Sequence, residues 1–311
     1  MSARKCLAFS PAGISSFFEI CDTTPSGKPI LDPRKIGARG GGFALEKGVL
    51  TQVDLRKSKE PSLQIAINGK HAPEAETTKA VVEMLLQEHG NSCNVTVRHK
   101  VDVPIAAGFG TSAGGALGTA LALSKLLKVN LTMSQIGQIA HIAEVKSHTG
   151  LGTVGPLLVG GCCLTVEPGA PGHSLIDRLP TLPHHRLVTG FHKALSTKEL
   201  LALPKIRQQV NSIGRQTLDK ILANPSLGNF LAAAREFAIE TGLASSKIAH
   251  LFEVAEEAGA IGVAQNMVGE AVHALTTANN AKKVVEAFKS ILPPENILTG
   301  RIDAQGAHLL M

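Results

Sequence analysis

A glycine-rich stretch followed by an alanine- and leucine-rich stretch, together Val103 to Leu127, constrains the fold of this chain more than any other feature. The first part, Pro104 to Gly110, carries no charge, and the second, Ala113 to Leu127, is rich in strong helix formers. Between them lie Thr111 and Ser112, hydroxyl residues of the type that caps a helix N-terminus. Such a loop gathers backbone N–H groups at one point, so the stretch predicts an anion site, with phosphate as the expected anion.

The glycines within the following helix bear on the same prediction. A glycine inside a helix costs roughly 0.5–1 kcal/mol relative to alanine, so each needs a reason. Close packing against a neighbouring element explains Gly118. It does not explain the run Gly108, Gly110, Gly114 and Gly115 around two hydroxyl residues, and we therefore interpret this run as part of the phosphate site.

Two common phosphate-binding patterns do not fit the loop well. A P-loop requires a lysine before its Ser or Thr, and here Gly110 directly precedes Thr111. The segment Gly108 to Ala113 satisfies G-x-G-x-x-A, the dinucleotide fingerprint. That fingerprint also needs an acidic residue about 20 positions further on, and residues 125–130 contain neither Asp nor Glu. Both a P-loop and a dinucleotide-binding fold are therefore disfavoured.

A third pattern fits at every defined position. Residues 104–113, PIAAGFGTSA, resemble the Pro-x-x-x-Gly-[hydrophobic]-Gly-[Ser/Thr]-Ser-Ala loop of the GHMP small-molecule kinases. The resemblance implies that the phosphates of ATP are bound by the loop and the start of its helix. The expected ATP-binding residues are Pro104, Ala107, Gly108, Phe109, Gly110, Thr111, Ser112, Ala113, Gly114 and Gly115.

Composition limits the remaining classes of function. The 311 residues are 44% hydrophobic and 18% charged, enough for one large or two ordinary globular domains. No apolar run reaches the ~20 residues of a membrane span, and the first residues do not resemble a signal peptide. The five cysteines form no C-x-x-C pair, which suits a reducing compartment. We therefore expect a cytoplasmic protein without a membrane partner.

The net charge of +6 suits nucleic acid or small anionic ligands. Trp and Tyr are absent and aromatic residues total 3%, so stacking platforms for nucleic-acid bases are scarce. Small anions are the better expectation, and no nucleic-acid partner is expected. By the same reasoning, adenine would be held by apolar side chains and backbone groups.

The pattern of elements indicates an α+β protein in two parts. A short strand from Lys5 to Phe9 is expected to end at the turn-like segment Ser10 to Gly13, and Gly37 to Gly42 is expected to form a second turn. The clearest boundary is Glu167 to Gly172, which holds two prolines and two glycines. We therefore place one domain at residues 1–170 and the other at residues 171–311.

One predicted helix carries residues that could perform chemistry. His141, Glu144 and His148 are spaced i, i+3 and i+7, so they project from one helix face. This face is either a metal or substrate face or the solvated side of an amphipathic helix. Phosphoryl transfer from ATP needs Mg²⁺, which prefers carboxylate and hydroxyl oxygens. Glu144 and Ser112 would supply one of each.

A resemblance to the archaeal pantoate kinases, a branch of the GHMP kinases, extends over nearly the whole chain. The similar segments are Ser10 to Glu19, Gly37 to Gly42, the glycine loop, Ala140 to Glu144, Thr149 to Gly152, Gly169 to Gly172 and Arg301 to Ala307. The resemblance implies a two-domain GHMP kinase fold, with an ATP-binding N-terminal α+β domain and a ferredoxin-like C-terminal α+β domain. It also implies Mg²⁺-dependent transfer of phosphate from ATP to the 4-hydroxyl of (R)-pantoate, on the archaeal route to coenzyme A.

Roles for single residues follow from the same resemblance. Ser112 and Glu144 are the expected catalytic and metal-binding residues, and His141 is expected to contact pantoate. The positions of Ala38, Thr153 and Thr165 are also substrate positions, although the family often has Ser, Asp and Arg there. Arg39 could pair with a substrate carboxylate.

These differences from the family pattern leave alternatives open. The chain is either a divergent pantoate kinase or a kinase for another small hydroxy acid, of mevalonate or homoserine type. A nucleotide-binding regulator without catalysis is a third alternative, because Thr153 occupies the position of the expected base. A homodimer is the assembly that we weigh against a monomer.

Overall fold

The computed structural model describes residues 4–89, 92–193, 204–267 and 269–310. Within them, an eight-stranded sheet has the order β12-β1-β2-β5-β3-β4, with β6 paired to β2 and β7 paired to β6. Its strands are β1 (Arg4–Cys21), β2 (Gly37–Lys57), β3 (Ser62–Ile67), β4 (Lys70–His71), β5 (Cys93–Val101), β6 (Cys162–Glu167), β7 (Leu175–Leu179) and β12 (His308–Leu310).

The first two strands are much longer than the sequence signals indicate. β1 continues through Ser10 to Gly13 rather than ending there, and a register shift accommodates Pro11 within the pairing to β2. Residues 37–42 also form strand rather than a turn. A Cβ at Gly42 would lie 1.9 Å from the carbonyl oxygen of Ile14, so glycine there permits close pairing. Both turn predictions are therefore wrong, because strand pairing overrides the local signals.

Helices α1 (Glu76–His89), α2 (Thr111–Leu127) and α3 (Met133–Ser147) accompany this sheet, and a short helix α4 (Val154–Val159) precedes β6. The residues of α2 from Ala113 to Leu126 are buried with the exception of Lys125. Their alanine and leucine side chains join residues of β2, β5 and α1 in one hydrophobic core. Helix α2, which follows the glycine loop, is thus central to the core beside the first sheet. Close packing there holds the N-terminus of α2 in place.

The C-terminal part forms a second sheet with the antiparallel order β11-β8-β10-β9. Its elements along the chain are β8 (His185–Lys193), α5 (Pro204–Ala223), α6 (Leu227–Glu240), α7 (Ser246–Glu257), β9 (Gly262–Gln265), β10 (Glu270–Thr277), α8 (Ala281–Lys289) and β11 (Ile297–Gly300). When the three helices described between β8 and β9 are taken as one layer, this is the β-α-β-β-α-β order of a ferredoxin-like domain. The predicted α+β fold with a ferredoxin-like C-terminal part is confirmed.

The two parts share strands and core. β7 and β12 lie beyond residue 170 but belong to the first sheet, and the second sheet begins only at β8. Phe17, Phe43 and Phe109 from the first part pack in one cluster with Phe230 and Leu275 from the second. The boundary at residues 170 and 171 remains a prediction. Along the described ranges, no helix combines the length and apolarity needed to cross a membrane.

Candidate active site

The loop between β5 and α2 alternates in backbone handedness. Ala106, Gly108 and Gly110 have positive φ angles of 61°, 79° and 60°, and Ala107 and Phe109, which lie between them, do not have positive φ angles. Alternation of this kind turns successive N–H groups into one concavity, an arrangement that binds anions. A left-handed alanine costs roughly 1–2 kcal/mol, so the loop keeps a strained residue at Ala106. The loop therefore has the backbone geometry of a phosphate site.

The amides of this loop are available to a ligand. The N–H groups of residues 108–113 donate to no protein acceptor within the described ranges, and the first helical bond runs from Gly114 N to Gly110 O at 3.0 Å. The start of α2 adds the partial positive charge of a helix N-terminus to the same point. Six backbone donors beside one helix N-terminus thus have no protein partner within the described ranges.

The inner side of the loop is fixed by packing. Ala107 and Phe109 are buried in the core that both parts of the chain share, and Phe109 O accepts a hydrogen bond from Gly13 N at 3.0 Å. A Cβ at Gly110 would lie 2.7 Å from Cγ2 of Thr153. The loop is therefore held by β1 and by the segment before α4, while its amides stay free.

Two details of the sequence interpretation need correction. The N-cap of α2 is Gly110, in the left-handed conformation and without a side-chain cap, rather than Thr111 or Ser112. Packing explains Gly114, because a Cβ there would lie 3.0 Å from Val49, whereas a Cβ at Gly115 would make an ordinary contact of 3.4 Å with the ring of His99. The amides that remain for phosphate are those of residues 108–113.

Ser112 and Glu144 meet directly, as the sequence predicts. Ser112 Oγ donates to Glu144 Oε1 at 2.6 Å, and Thr149 Oγ1 donates to the same oxygen at 2.9 Å. Thr149 is itself hydrogen-bonded to Thr77 of α1 at 2.8 Å. Both hydroxyls contact Oε1, so Oε2 is the carboxylate oxygen left for another ligand. It faces Gly150, where a Cβ would lie 2.2 Å away, so a side chain there would occupy this space.

The helix face that carries Glu144 is buried rather than solvated. His141 and Glu144 are each 1% exposed, whereas His148 ends the helix in a left-handed conformation and is exposed. The solvated-face alternative is therefore wrong for His141 and Glu144. Burial raises the pKa of the Glu144 carboxyl, and the hydrogen bonds from Ser112 and Thr149 oppose that shift. A divalent cation at Oε2 would offset the cost of burying this charge.

His141 supports the strand that leads to the substrate positions. Its Nε2 lies 2.9 Å from the carbonyl oxygen of Ile36, just before β2. Burial lowers the pKa of His141, and the hydrogen bond to Ile36 opposes the shift. The neutral ring donates from Nε2 to this carbonyl, which orients the start of β2. Contact between His141 and a substrate remains a prediction.

Comparison with known proteins agrees with this geometry. The family described as the GHMP kinases N terminal domain matches residues 76–161, which include the loop, Ser112, Glu144 and Thr149. The chain is 32% identical to the pantoate kinase of Thermococcus kodakarensis, over 93% of this chain and 94% of that protein. The chain belongs to the pantoate kinase family. It is therefore a phosphotransferase of GHMP kinase fold.

Two further comparisons concern a solved structure and a mevalonate kinase. A solved structure titled a phosphotransferase related to the CoA biosynthesis pathway has a TM-score of 0.87 and 29% identity, with 99% of each chain covered. The mevalonate kinase of Pyrococcus abyssi is 27% identical over 68% of this chain and 61% of that protein. The pantoate kinase of Thermococcus kodakarensis is thus more similar in sequence to this chain than that mevalonate kinase is, at 32% against 27% identity.

Three of the substrate positions predicted for this chain lie on one side of β2. Ala38 faces the segment after α3, since a Cβ at Gly152 would lie 2.9 Å from Cβ of Ala38. Thr165 pairs with Gly40, two residues along the strand from Ala38, and so lies on the same face. Thr153 follows Gly152 and contacts Gly110 of the glycine loop. The structure thus brings Ala38, Thr153 and Thr165 to the loop side of the sheet.

Arg39 lies on the opposite face of β2. Its guanidinium pairs with the Glu19 carboxylate at 2.5 Å, and the same carboxylate accepts from Arg215 of α5 at 2.7 Å. Glu19 is 3% exposed, so this ion-pair cluster joins β1, β2 and α5 around one buried carboxylate. The sheet separates Arg39 from the other predicted substrate positions, and we do not include it in the proposed acceptor site.

Two cavities accompany these elements. One of about 600 Å³ is lined by polar and basic residues of α5, on the Arg39 side of the sheet. The other, of about 450 Å³, includes Leu7, Leu50, Asn68 and Lys100. Asn68 is hydrogen-bonded to the last residue of β5 at 2.8 Å. Leu50 alternates along β2 with Val49 and Thr51, which lie against α2, so this second cavity is on the face of the sheet away from α2.

The sequence interpretation misses two hydroxyl residues of the site. Thr149 is visible only as part of the segment that ends α3, and no sequence signal distinguishes Thr77 from other residues of α1. Their importance depends on contact with Glu144, which needs the folded arrangement of α1, α2 and α3. A hydroxyl residue directly after a helix with a functional carboxylate is the one available clue.

Proposed function

We propose that the chain transfers the γ-phosphate of ATP to the 4-hydroxyl of (R)-pantoate, forming 4-phosphopantoate. The observation that carries this proposal is the contact between Ser112 and Glu144 at 2.6 Å, beside a glycine loop whose amides have no protein acceptor within the described ranges. Membership of the pantoate kinase family supports the choice of acceptor. The reaction would be a step in the biosynthesis of coenzyme A.

The chain's own groups would bind ATP through its phosphates. The amides of residues 108–113 supply the donors, and the N-terminus of α2 supplies partial positive charge. GHMP kinases use ATP, and the preformed loop gives this family member the same phosphate-binding device.

We propose that Mg²⁺ is held by Glu144 together with Ser112. Within the described ranges no three His, Cys, Asp or Glu side chains cluster as a metal site, so the protein would contribute few ligands. This fits Mg²⁺, which is usually bound through one or two carboxylates plus substrate phosphates. The ion would neutralise charge on the transferred phosphate. The residues present fit it, because Glu144 Oε2 is left without a hydroxyl donor while Oε1 has two.

The acceptor would lie on the face of β2 that carries Ala38 and Thr165, next to Thr153 at the loop. A threonine hydroxyl is not a base at neutral pH, so Thr153 would position the acceptor rather than remove its proton. Phosphoryl transfer depends mainly on positioning and on stabilisation of charge, so a kinase without a carboxylate at this position is chemically reasonable. His141 would hold the start of β2 in position through its hydrogen bond to the carbonyl oxygen of Ile36.

The test is ADP release by purified protein with ATP and Mg²⁺, using pantoate, mevalonate, phosphomevalonate and homoserine as separate acceptors. We expect turnover with pantoate and a product mass that corresponds to 4-phosphopantoate. Turnover with another acceptor only would make the chain a GHMP kinase for that hydroxy acid. Binding of ATP without turnover on any acceptor would favour a regulator. Cytoplasmic location and a homodimer remain predictions, and light scattering of the same preparation tests the second.

Replacing Thr149 by valine is expected to weaken the metal site. The variant keeps the shape of the side chain but removes the hydroxyl that contacts Glu144 Oε1 at 2.9 Å. A hydrogen bond to a charged group contributes about 1.5–3 kcal/mol, so we expect kcat to fall between about tenfold and a hundredfold. The Mg²⁺ concentration that gives half-maximal rate should rise as well.

The matched control for this prediction is Thr149→Ser, which retains the hydroxyl and loses only a methyl group. It should keep at least a third of the wild-type rate. If Thr149→Val and Thr149→Ser lose activity equally, the hydroxyl is not the group that matters, and the assignment of Thr149 to the site fails.

A further inference from the structure

A chain of three buried polar side chains connects β1 with the second sheet. Ser16 Oγ lies 2.8 Å from Nε2 of His273, and Nδ1 of the same ring lies 2.7 Å from Oδ1 of Asn266. Ser16 is 1% exposed and the other two are fully buried. Ser16 lies at a register shift of β1, His273 lies in β10, and Asn266 directly follows β9.

The chemistry of the ring fixes the direction of these bonds. Burial lowers the pKa of His273 to about 3, so the imidazole is neutral and has one N–H. Since Oδ1 of Asn266 can only accept, the assignment that satisfies both bonds places the proton on Nδ1. Nε2 then accepts from the Ser16 hydroxyl. The Asn266 amide is thereby held in one orientation.

That orientation leaves one donor without a partner. Nδ2 of Asn266 is buried and has no hydrogen-bond acceptor within the described ranges. An unpartnered buried donor is costly and rare, so it calls for an explanation. A carboxylate or apolar side chain would avoid it, yet the chain places an amide here and fixes it with two further residues.

Asn266 lies against the glycine loop. A Cβ at Gly108 would lie 3.2 Å from both Cβ and the carbonyl oxygen of Asn266. The turn that carries Asn266 is also tied to β1, because Met267 N donates to Ser15 O at 2.8 Å. Asn266 therefore contacts the phosphate loop through its Cβ and its carbonyl oxygen, at Gly108, and the unpartnered Nδ2 lies on the same short side chain.

The order Ser, His and Asn resembles the nucleophile, base and orienting group of a hydrolase. Exposure decides against that role. Ser16 is 1% exposed, and neither described cavity includes any of the three residues. A substrate could not reach the hydroxyl, so a structural or positioning role remains.

We propose that Asn266 is a positioning residue for the phosphate loop, held by Ser16 and His273 so that Nδ2 donates to a loop carbonyl between residues 104 and 108 when a nucleotide occupies the loop. The amides of residues 108–113 keep their concave arrangement, and a small rotation of the peptides between residues 104 and 108 against the bound anion would bring one of their carbonyl oxygens to Nδ2. The second sheet thereby stabilises the nucleotide-bound shape of the loop. This inference rests on ATP binding at the loop, as proposed above, but not on the identity of the acceptor.

The first test compares Asn266→Asp with Thr276→Val. The aspartate keeps an oxygen for Nδ1 of His273 and loses the Nδ2 donor. Thr276 is equally buried, lies on β10 and has an unpartnered hydroxyl among the described contacts, so its valine variant controls for a change in the same sheet. We expect the Kd for a non-hydrolysable ATP analogue to rise at least tenfold in Asn266→Asp and less than twofold in Thr276→Val.

The readout that separates positioning from stability is the thermal shift caused by the analogue. A merely structural role would lower the melting temperature and leave the analogue-induced increase unchanged, whereas loss of positioning would shrink that increase. An Asn266→Asp variant with a Kd within twofold of wild type, or with an unchanged increase, would overturn the proposal.

A second test needs no variant. In crystals of the wild-type protein with the ATP analogue, Nδ2 of Asn266 should lie within hydrogen-bond distance of a carbonyl oxygen between residues 104 and 108. A nucleotide complex in which this nitrogen still has no acceptor would overturn the proposal. Wild-type protein that binds the analogue but does not phosphorylate pantoate would contradict the proposed function alone, so the two failures are distinguishable.

Discussion

Replacing Glu144 by glutamine is expected to lower kcat about a thousandfold while the protein still folds. The amide oxygen can accept from Ser112 and Thr149 as Oε1 does, but the side chain no longer offers an anionic oxygen to the metal. Loss of one charge-stabilising group at a phosphoryl-transfer site costs several kcal/mol, and about 4 kcal/mol corresponds to a thousandfold. Steady-state kinetics with saturating ATP and acceptor measures the loss.

Thermal unfolding without ligands provides the control for folding. The Glu144 carboxylate is 1% exposed, so removing its charge should leave the melting temperature unchanged or raise it. Glu83→Gln, an exposed position on α1, should retain wild-type kinetics. A Glu144→Gln variant with kcat within tenfold of wild type would remove this residue from the metal site.

A double-mutant cycle tests whether Ser112 and Glu144 act together. Ser112→Ala is also expected to lower kcat by orders of magnitude, because the Ser112 hydroxyl donates to Glu144 and, as proposed, would bind the same Mg²⁺. If the two residues form one unit, the double variant should be little worse than Glu144→Gln alone. Additive losses would mean that the 2.6 Å contact has no catalytic consequence.

Local patterns predict the elements that depend on local interactions. Ile136, Ile139 and Ala143 have the spacing of one helix face, and Asn68-Gly69 is a hairpin-type turn signal. The structure forms α3 and the turn between β3 and β4 at these places. β1 and β2 are different, because their pairing extends from Arg4 opposite Leu55 to Cys21 opposite Gly37. Pairing of that length overrides the turn preferences of single glycines and prolines, and no short window of sequence contains it.

In the candidate site, too, some features follow from the local sequence and others depend on long-range packing. Spacing and residue type are enough to associate Ser112 with Glu144, but the burial of Glu144 depends on how α1, α2 and α3 pack. Adjacency in sequence groups Arg39 with Ala38 as substrate positions. Successive residues of a strand point to opposite faces, so correct assignment of β2 as a strand separates the two. Ser16 and His273 are 257 positions apart, which no motif search detects.

Replacing Gly110 by alanine is expected to raise KM for ATP at least tenfold, with a smaller effect on kcat. Gly110 has a φ of 60°, and an alanine there costs roughly 1–2 kcal/mol in backbone strain. Its Cβ would also lie 2.7 Å from Cγ2 of Thr153 and 3.2 Å from Gly13 O. We expect the strain and the contact with the Gly13 carbonyl to move the loop away from the conformation that binds phosphate. Steady-state kinetics with ATP as the varied substrate measures the change.

Two companion variants separate backbone strain from crowding. Gly242 has a φ of 70°, and a Cβ there would meet nothing within 4 Å among the described residues, so Gly242→Ala imposes similar strain and should leave KM for ATP unchanged. Thr153→Ser removes the methyl group that the new Cβ would meet, so it should restore part of the ATP affinity when combined with Gly110→Ala. If Gly110→Ala alone binds ATP like the wild type, the conformation of the loop does not control nucleotide binding, and the phosphates must be held elsewhere.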